Sequence, residues 1–149
     1  MNVSIHSRET IKLLIEKDFP DNVAVISFYS PQTSKTYKEL PPVDYCGKCK
    51  DIFYVCIYDI DIEVLESYGL TFETYFPEVE ALAEFIINAE KKGLNFICQC
   101  DYGQSRSAAC ASAILEYYFH NGISIFADYR YYPNQLIFNK LLKALQDKS

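Results

Sequence analysis

The sequence has no tryptophan, one methionine and only two histidines, His6 and His120. Without tryptophan, the large side chains that fill a core must be phenylalanine and tyrosine, and there are 10 and 13 of these. Two isolated histidines offer no His pair for a metal centre. Cys46-Gly47-Lys48-Cys49 has the spacing of half a zinc site, but no second cysteine or histidine pair lies near it. The two are read as loop thiols, and no metal is expected. Cations are also scarce: 14 Lys and Arg stand against 20 Asp and Glu, a formal net charge of −6. Nucleic acid and anionic membrane both call for basic patches, so neither is expected as a partner. No apolar run is long enough to span a bilayer. Met1 to His6 has no basic region followed by an apolar core, so no signal peptide is expected. Six cysteines without such a signal are read as reduced thiols of a cytoplasmic protein.

What is present is a chain of 149 residues, half of them hydrophobic, which is enough for one domain over 1–149 with a real core. Asn2 to His6 reads as a short strand. Ser7 caps a helix with Ile11, Leu14 and Ile15 on one face. Val23 to Phe28 is a nearly continuous apolar run, hence an interior parallel strand. From Tyr29 to Lys50 the chain is polar and broken by Pro31, Pro41 and Pro42, so a long loop is expected. Ile52 to Tyr58 reads as a further buried strand, followed by a loop through Gly69. Helix is expected again near Thr71, with Pro77 in its first turn and Val79, Leu82, Ala83, Ile86 and Ile87 as its buried stripe. A last helix opens at Pro133-Asn134, with Asn134 as its cap. Strands alternating with helices imply an α/β fold: a central, mostly parallel sheet flanked by helices on both faces.

The centre of the chain is the stretch from Leu94 to Leu115. Leu94 to Gln99 is short and apolar and follows Gly93, so it reads as a buried strand; Ala108 to Leu115 reads as a helix with a thin, closely packed face. Between them lies a tight loop with Cys100 at its start, Gly103 within it and Arg106 at its end. A strand–loop–helix turn aims main-chain N–H groups and the positive end of the helix dipole into one hollow. That hollow favours an anion, and it favours a thiolate at Cys100. Five residues separate Cys100 from Arg106, so the loop can fold the guanidinium back beside the sulfur. An Arg fork matches phosphate bidentately. Arg106 at a helix start would oppose the dipole unless an anion binds there. Ser107 can donate a hydrogen bond to the sulfur. Cys56 and Cys110, in a strand and a helix interior, read as small buried hydrophobes. Cys98 reads as a strand residue.

The run Cys100-Asp101-Tyr102-Gly103-Gln104-Ser105-Arg106-Ser107-Ala108 resembles the phosphate-binding loop of the cysteine-dependent protein tyrosine phosphatases, and most of all the small dual-specificity-like branch. Two further landmarks agree: a strand ending near Asp59 and Asp61, and Arg130-Tyr131-Tyr132-Pro133-Asn134 opening a late helix. The resemblance runs from Ile52 to the C-terminus. It implies hydrolysis of phosphomonoesters, in a phosphorylated protein or a small phosphoester, without a metal or other cofactor. Cys100 is the implied nucleophile. The phosphate is held by Arg106 and by the loop N–H groups across Asp101, Tyr102, Gly103, Gln104 and Ser105, with Ser107 beside the sulfur. Asp59 or Asp61 is the implied general acid; alternation sets both on one side, and Asp61 is preferred because it lies farther onto the loop. Asp101 is expected to point outward from the loop. One departure matters: relatives carry His before the nucleophile, and here the residue is Gln99. Gln cannot carry charge, which keeps a second reading open, a catalytically weak phosphate-binding module that recognises phosphorylated partners. A low-molecular-weight phosphatase or related reductase would carry its Cys loop near the N-terminus, whereas here the loop lies late in the chain.

Overall fold

The computed structural model describes residues 1–31 and 40–149. Part of the loop expected over 29–50 therefore lies outside the described residues. Among the described residues, four strands form one sheet, and every pairing among them is parallel: β1 (Val3–His6), β2 (Val23–Tyr29), β3 (Asp51–Cys56) and β4 (Asn95–Gln99), in the order β1-β4-β2-β3. β4 is internal, with Gln99 beside His6 on one side and Ser27 on the other. The residue after it, Cys100, thus leaves the sheet at its carboxyl edge between two neighbouring strands, the place where open parallel sheets bind ligands.

Among the described residues, five helices cover the faces: α1 (Arg8–Glu16), α2 (Val79–Lys91), α3 (Arg106–Phe119), the single turn α4 (Ile123–Phe126) and α5 (Gln135–Asp147). On one face α1 packs Ile11 and Ile15 against Val25 and Ile97, and the chain after residue 40 adds Val43 and Tyr45 to that cluster. On the other face α2 lies over β3 and α3 over β1 and β4, with α5 against both helices. α3 is buried along its whole first half, from Arg106 to Ile114, because its Ala108, Ala109, Ala111 and Ala113 let the helix approach the sheet closely. From α5, Ile137, Leu141 and Leu145 are fully buried, each stabilising the fold by about 1.5–3 kcal/mol relative to exposure.

Local signals explain the helix starts. Ser7 and Thr10 form a reciprocal capping box at α1, with 3.1 Å between each hydroxyl oxygen and the other residue's main-chain N–H. Asn134 Oδ1 accepts from Ile137 N–H at 3.0 Å to cap α5. Elsewhere the structure departs from the sequence reading. β3 is an edge strand in which only Val55 is buried, and Tyr54 and Cys56 face solvent. Cys56 is therefore not a core residue, whereas Cys110 is. Helix α2 starts at Val79 and not near Thr71: Pro77 lies ahead of it, and two 3₁₀ turns, Ile62–Val64 and Glu66–Tyr68, occupy the preceding loop. The left-handed cap of α3 is His120, with φ 55°. β3 ends at Cys56, so alternation does not govern Asp59 and Asp61.

Candidate active site

The loop after β4 is held from two sides. Cys100 N–H donates to the His6 carbonyl at 3.2 Å, extending the β1–β4 ladder by one residue, and Arg8 N–H donates to the Asp101 carbonyl at 3.0 Å. Gly103 has φ 68° and presses its Cα against the β1–α1 junction. On the far side, Tyr132 N–H donates to the Gln104 carbonyl at 2.8 Å and Asn134 N–H to the Ser105 carbonyl at 3.2 Å. Among the described residues, no group accepts from the main-chain N–H groups of Tyr102 to Ala108. These donors ring the hollow at the start of α3, a cradle suited to an oxyanion. Tyr102 turns its ring into solvent, 82% exposed, so its part in such a cradle is main-chain only.

Cys100 lies at the floor of the loop, 3% exposed. Ser107 Oγ is 3.1 Å from its Sγ, where the hydroxyl can donate to a thiolate. Arg106 is 5% exposed and turned inward. Its Nη1 donates to Ser30 Oγ and to the Ile57 carbonyl, both at 2.9 Å. Its Nη2 reaches Asp101 Oδ2 at 3.4 Å, and its buried Nε has no partner among the described residues. Asp101 does not point outward as expected. Its carboxylate is drawn in between two guanidiniums, with Oδ1 accepting from Arg8 Nε at 3.2 Å and Nη2 at 3.1 Å. Charge-assisted bonds from two nearly buried cations fix the carboxylate in this direction.

The two acidic candidates separate clearly. Asp59 Oδ1 accepts from Ser105 Oγ at 2.7 Å and from Asn134 Nδ2 at 2.9 Å, which draws it to the rim of the Cys100 loop. Asp61 instead caps the 3₁₀ turn behind it, accepting from Glu63 N–H at 3.1 Å. Asn134 Nδ2 also donates to the Ile60 carbonyl at 3.0 Å. Tyr75 closes the floor of this corner, its hydroxyl donating to the Tyr58 carbonyl at 2.6 Å. Burial, with the Asp59 charge nearby, pushes that hydroxyl well above the usual tyrosine range, so it keeps its proton. A groove of about 750 Å³ runs outward from Asp59 and Ser105, past Ile62, Phe72 and Tyr132. Arg130 stays outside this assembly and pairs with Asp128 at 2.7 Å.

Gln99 faces away from the loop, into the α1 side of the sheet. It is fully buried, and its Oε1 accepts from Ser27 Oγ and from the Tyr45 hydroxyl, the latter at 3.0 Å. It thus ties β4 to β2 and to the segment after residue 40. The sequence reading missed Arg8 and Ser30 as partners of the loop, and it gave Asn134 only its capping role. The half-buried His6, at the end of β1, is held below the usual histidine value of 6.5 by burial. The unfolded chain therefore takes up a proton more readily than the folded one, and stability falls as pH drops through about 6.5. The melting temperature should decline from pH 7.5 to pH 5.5, and His6→Gln should flatten that part of the profile; an unchanged slope would refute the assignment.

No family model and no curated protein sequence matches this chain. Solved structures do match it in fold. Human DUSP28 superposes with a TM-score of 0.59 at 18% identity, over 99% of this chain and 95% of that one. PTPMT1 in complex with PI(5)P gives 0.56 at 12% identity, over 98% and 91%. The human tyrosine phosphatase-like serine/threonine/tyrosine-interacting protein gives 0.51 at 15% identity, over 95% and 86%. Parallel sheet, loop and helices together give the chain the fold of the dual-specificity-phosphatase-like branch of the protein tyrosine phosphatase superfamily.

Proposed function

We propose that the protein is a cysteine-dependent phosphatase that hydrolyses phosphomonoesters, phosphotyrosine among them, through a phosphocysteine intermediate. One observation carries the reading. Cys100 Sγ lies 3.1 Å from Ser107 Oγ at the start of α3, the buried Nε of Arg106 has no partner among the described residues, and the Asp59 carboxylate is hydrogen-bonded to Ser105 in the same loop. The Cys100 thiolate attacks phosphorus, the P–O bond to the leaving group breaks, and a protonated Asp59 gives its proton to the departing oxygen. Arg106 and the loop N–H groups hold the equatorial oxygens while charge develops on them. Water then attacks the phosphocysteine and loses its proton to Asp59. The P–S bond breaks, and inorganic phosphate leaves. Asp59 takes the acid role in preference to Asp61 because Ser105 and Asn134 hold it against the Cys100 loop, whereas Asp61 caps the turn at Glu63. The substrate is a phosphorylated protein or a small phosphoester. A phosphoinositide, the ligand in the PTPMT1 complex, suits this chain less well, since Asp101 adds a carboxylate to the loop and the net charge is −6.

A second reading, a phosphate-binding module with little turnover, is favoured by Gln99, whose contacts go to Ser27 and Tyr45 and not to the loop. Steady-state rates on an aryl phosphate, with orthovanadate binding measured alongside, separate the two. The phosphatase turns over. Asp59→Asn is expected to lower kcat by about 10²-fold, whereas Asp61→Asn keeps most of the rate. Vanadate binding without turnover in the wild type would favour the module. A larger loss in Asp61→Asn would transfer the acid role to Asp61.

A further inference from the structure

We propose that Arg8 is a positioning residue that holds the carboxylate of Asp101 off the phosphate-binding edge of Arg106. The inference rests on the phosphate-site reading above and concerns how that site is kept open.

Two guanidiniums share one carboxylate here, and they share it unequally. Arg8 and Arg106 are 9% and 5% exposed. Arg8 grips Asp101 Oδ1 with both Nε and Nη2, at 3.2 and 3.1 Å, and its main-chain N–H holds the Asp101 carbonyl at 3.0 Å. Arg106 touches the other oxygen, Oδ2, through Nη2 alone and at 3.4 Å. The rest of the Arg106 fork is fixed by Ser30 and Ile57 at Nη1, so Nε and Nη2 form the edge left for an oxyanion. A carboxylate is itself a good bidentate ligand for that edge. Asp101 belongs to the same short loop as Arg106, and its second oxygen already reaches Nη2. Only the stronger grip of Arg8 sets its direction. Arg8 stands at the first position of α1, where a cation opposes the helix dipole, so a partner such as Asp101 compensates for its placement. The Pro41 carbonyl, which accepts from Arg8 Nη2 at 2.6 Å, fixes the guanidinium from behind.

The test compares wild type, Arg8→Gln, Asp101→Asn and the double variant. Inhibition by inorganic phosphate and by orthovanadate is measured, with kcat/KM on an aryl phosphate and a melting temperature for each. Arg8→Gln frees Asp101 to occupy Arg106 and should weaken phosphate binding by about tenfold or more, the scale of one charge-assisted hydrogen bond. Adding Asp101→Asn removes the competitor and should recover most of that loss. Asp101→Asn alone should bind phosphate about threefold more tightly than wild type, because a negative charge leaves the neighbourhood of a bound anion, while its melting temperature falls because Arg8 loses its partner. If Arg8 served only to staple α1 to Pro41, the double variant would bind no better than Arg8→Gln, and that result overturns the proposal. Should Arg8→Gln not fold, Asp101→Asn decides alone: weaker phosphate binding than wild type refutes the inference. A wild type that binds neither phosphate nor vanadate defeats the underlying phosphate-site reading as well. A wild type that binds both, with Arg8→Gln unchanged, defeats only the role given to Arg8.

Discussion

Cys100→Ser is expected to reduce aryl phosphate turnover by about 10⁴-fold or more while phosphate and vanadate still bind. The oxygen of serine is a far weaker nucleophile than a thiolate at neutral pH. The rest of the oxyanion cradle does not depend on the sulfur: Arg106 is fixed by Ser30 and Ile57, and the loop main chain by Arg8, Tyr132 and Asn134. Serine is nearly isosteric and Ser107 Oγ is already within hydrogen-bond distance of the side chain, so the fold should tolerate the change. Initial rates at saturating substrate measure the loss. The rise in melting temperature with added phosphate, which follows the mass-action stabilisation of a bound ligand, measures the retained affinity. Equal rates in Cys100→Ser and wild type would reject the covalent mechanism.

Gly103→Ala should carry the second-largest effect. A Cβ at this position would sit 2.7 Å from Ser7 N, 2.9 Å from His6 C and 3.1 Å from Ser7 Cα, all of them main-chain atoms that no rotamer change can move. The residue also has φ 68°, where an L side chain costs about 1 kcal/mol or more. Gly69 has nearly the same dihedral, φ 70°, yet an added Cβ meets nothing within 4 Å. The pair therefore separates backbone strain from collision. Gly69→Ala should cost about 1 kcal/mol with little change in rate. Gly103→Ala should cost about 3 kcal/mol. It should also lower kcat/KM by about 10²-fold, because the loop must shift away from α1 by a distance comparable to what misaligns a reacting group. Denaturant unfolding and steady-state kinetics on the two variants decide the matter. A Gly103→Ala protein no worse than Gly69→Ala would show that the loop does not need this close approach.

The parts of this fold that could be read from the sequence are those whose causes are local. The caps at Ser7 and Asn134 depend on residues three positions away, and both hold. The strand, loop and helix around Cys100 are contiguous in the chain, so Ser107 Oγ comes within 3.1 Å of the Cys100 sulfur at the start of α3. What could not be read depends on distant partners. β3 is apolar by composition, but its place at the sheet edge is set by the order of the other strands, and so Tyr54 and Cys56 are exposed. Alternation could not separate the settings of Asp59 and Asp61, because Asp59 is held by Ser105 and Asn134, far along the chain, and Asp61 by Glu63. Asp101 was expected to face outward because its partner, Arg8, comes from the opposite end of the sequence. A signal for Arg8 was nonetheless present. A cation in the first position of a helix is out of place on dipole grounds, the same anomaly that marked Arg106.

Asn134 has one amide and two duties: its oxygen starts α5, and its nitrogen steadies Asp59 and the Ile60 carbonyl. Unwinding of the first turn of α5 would thus reach a carboxylate seventy-five positions away in sequence. On the acid role proposed for Asp59, proton delivery then depends on the first turn of α5 staying wound, far along the chain from Cys100.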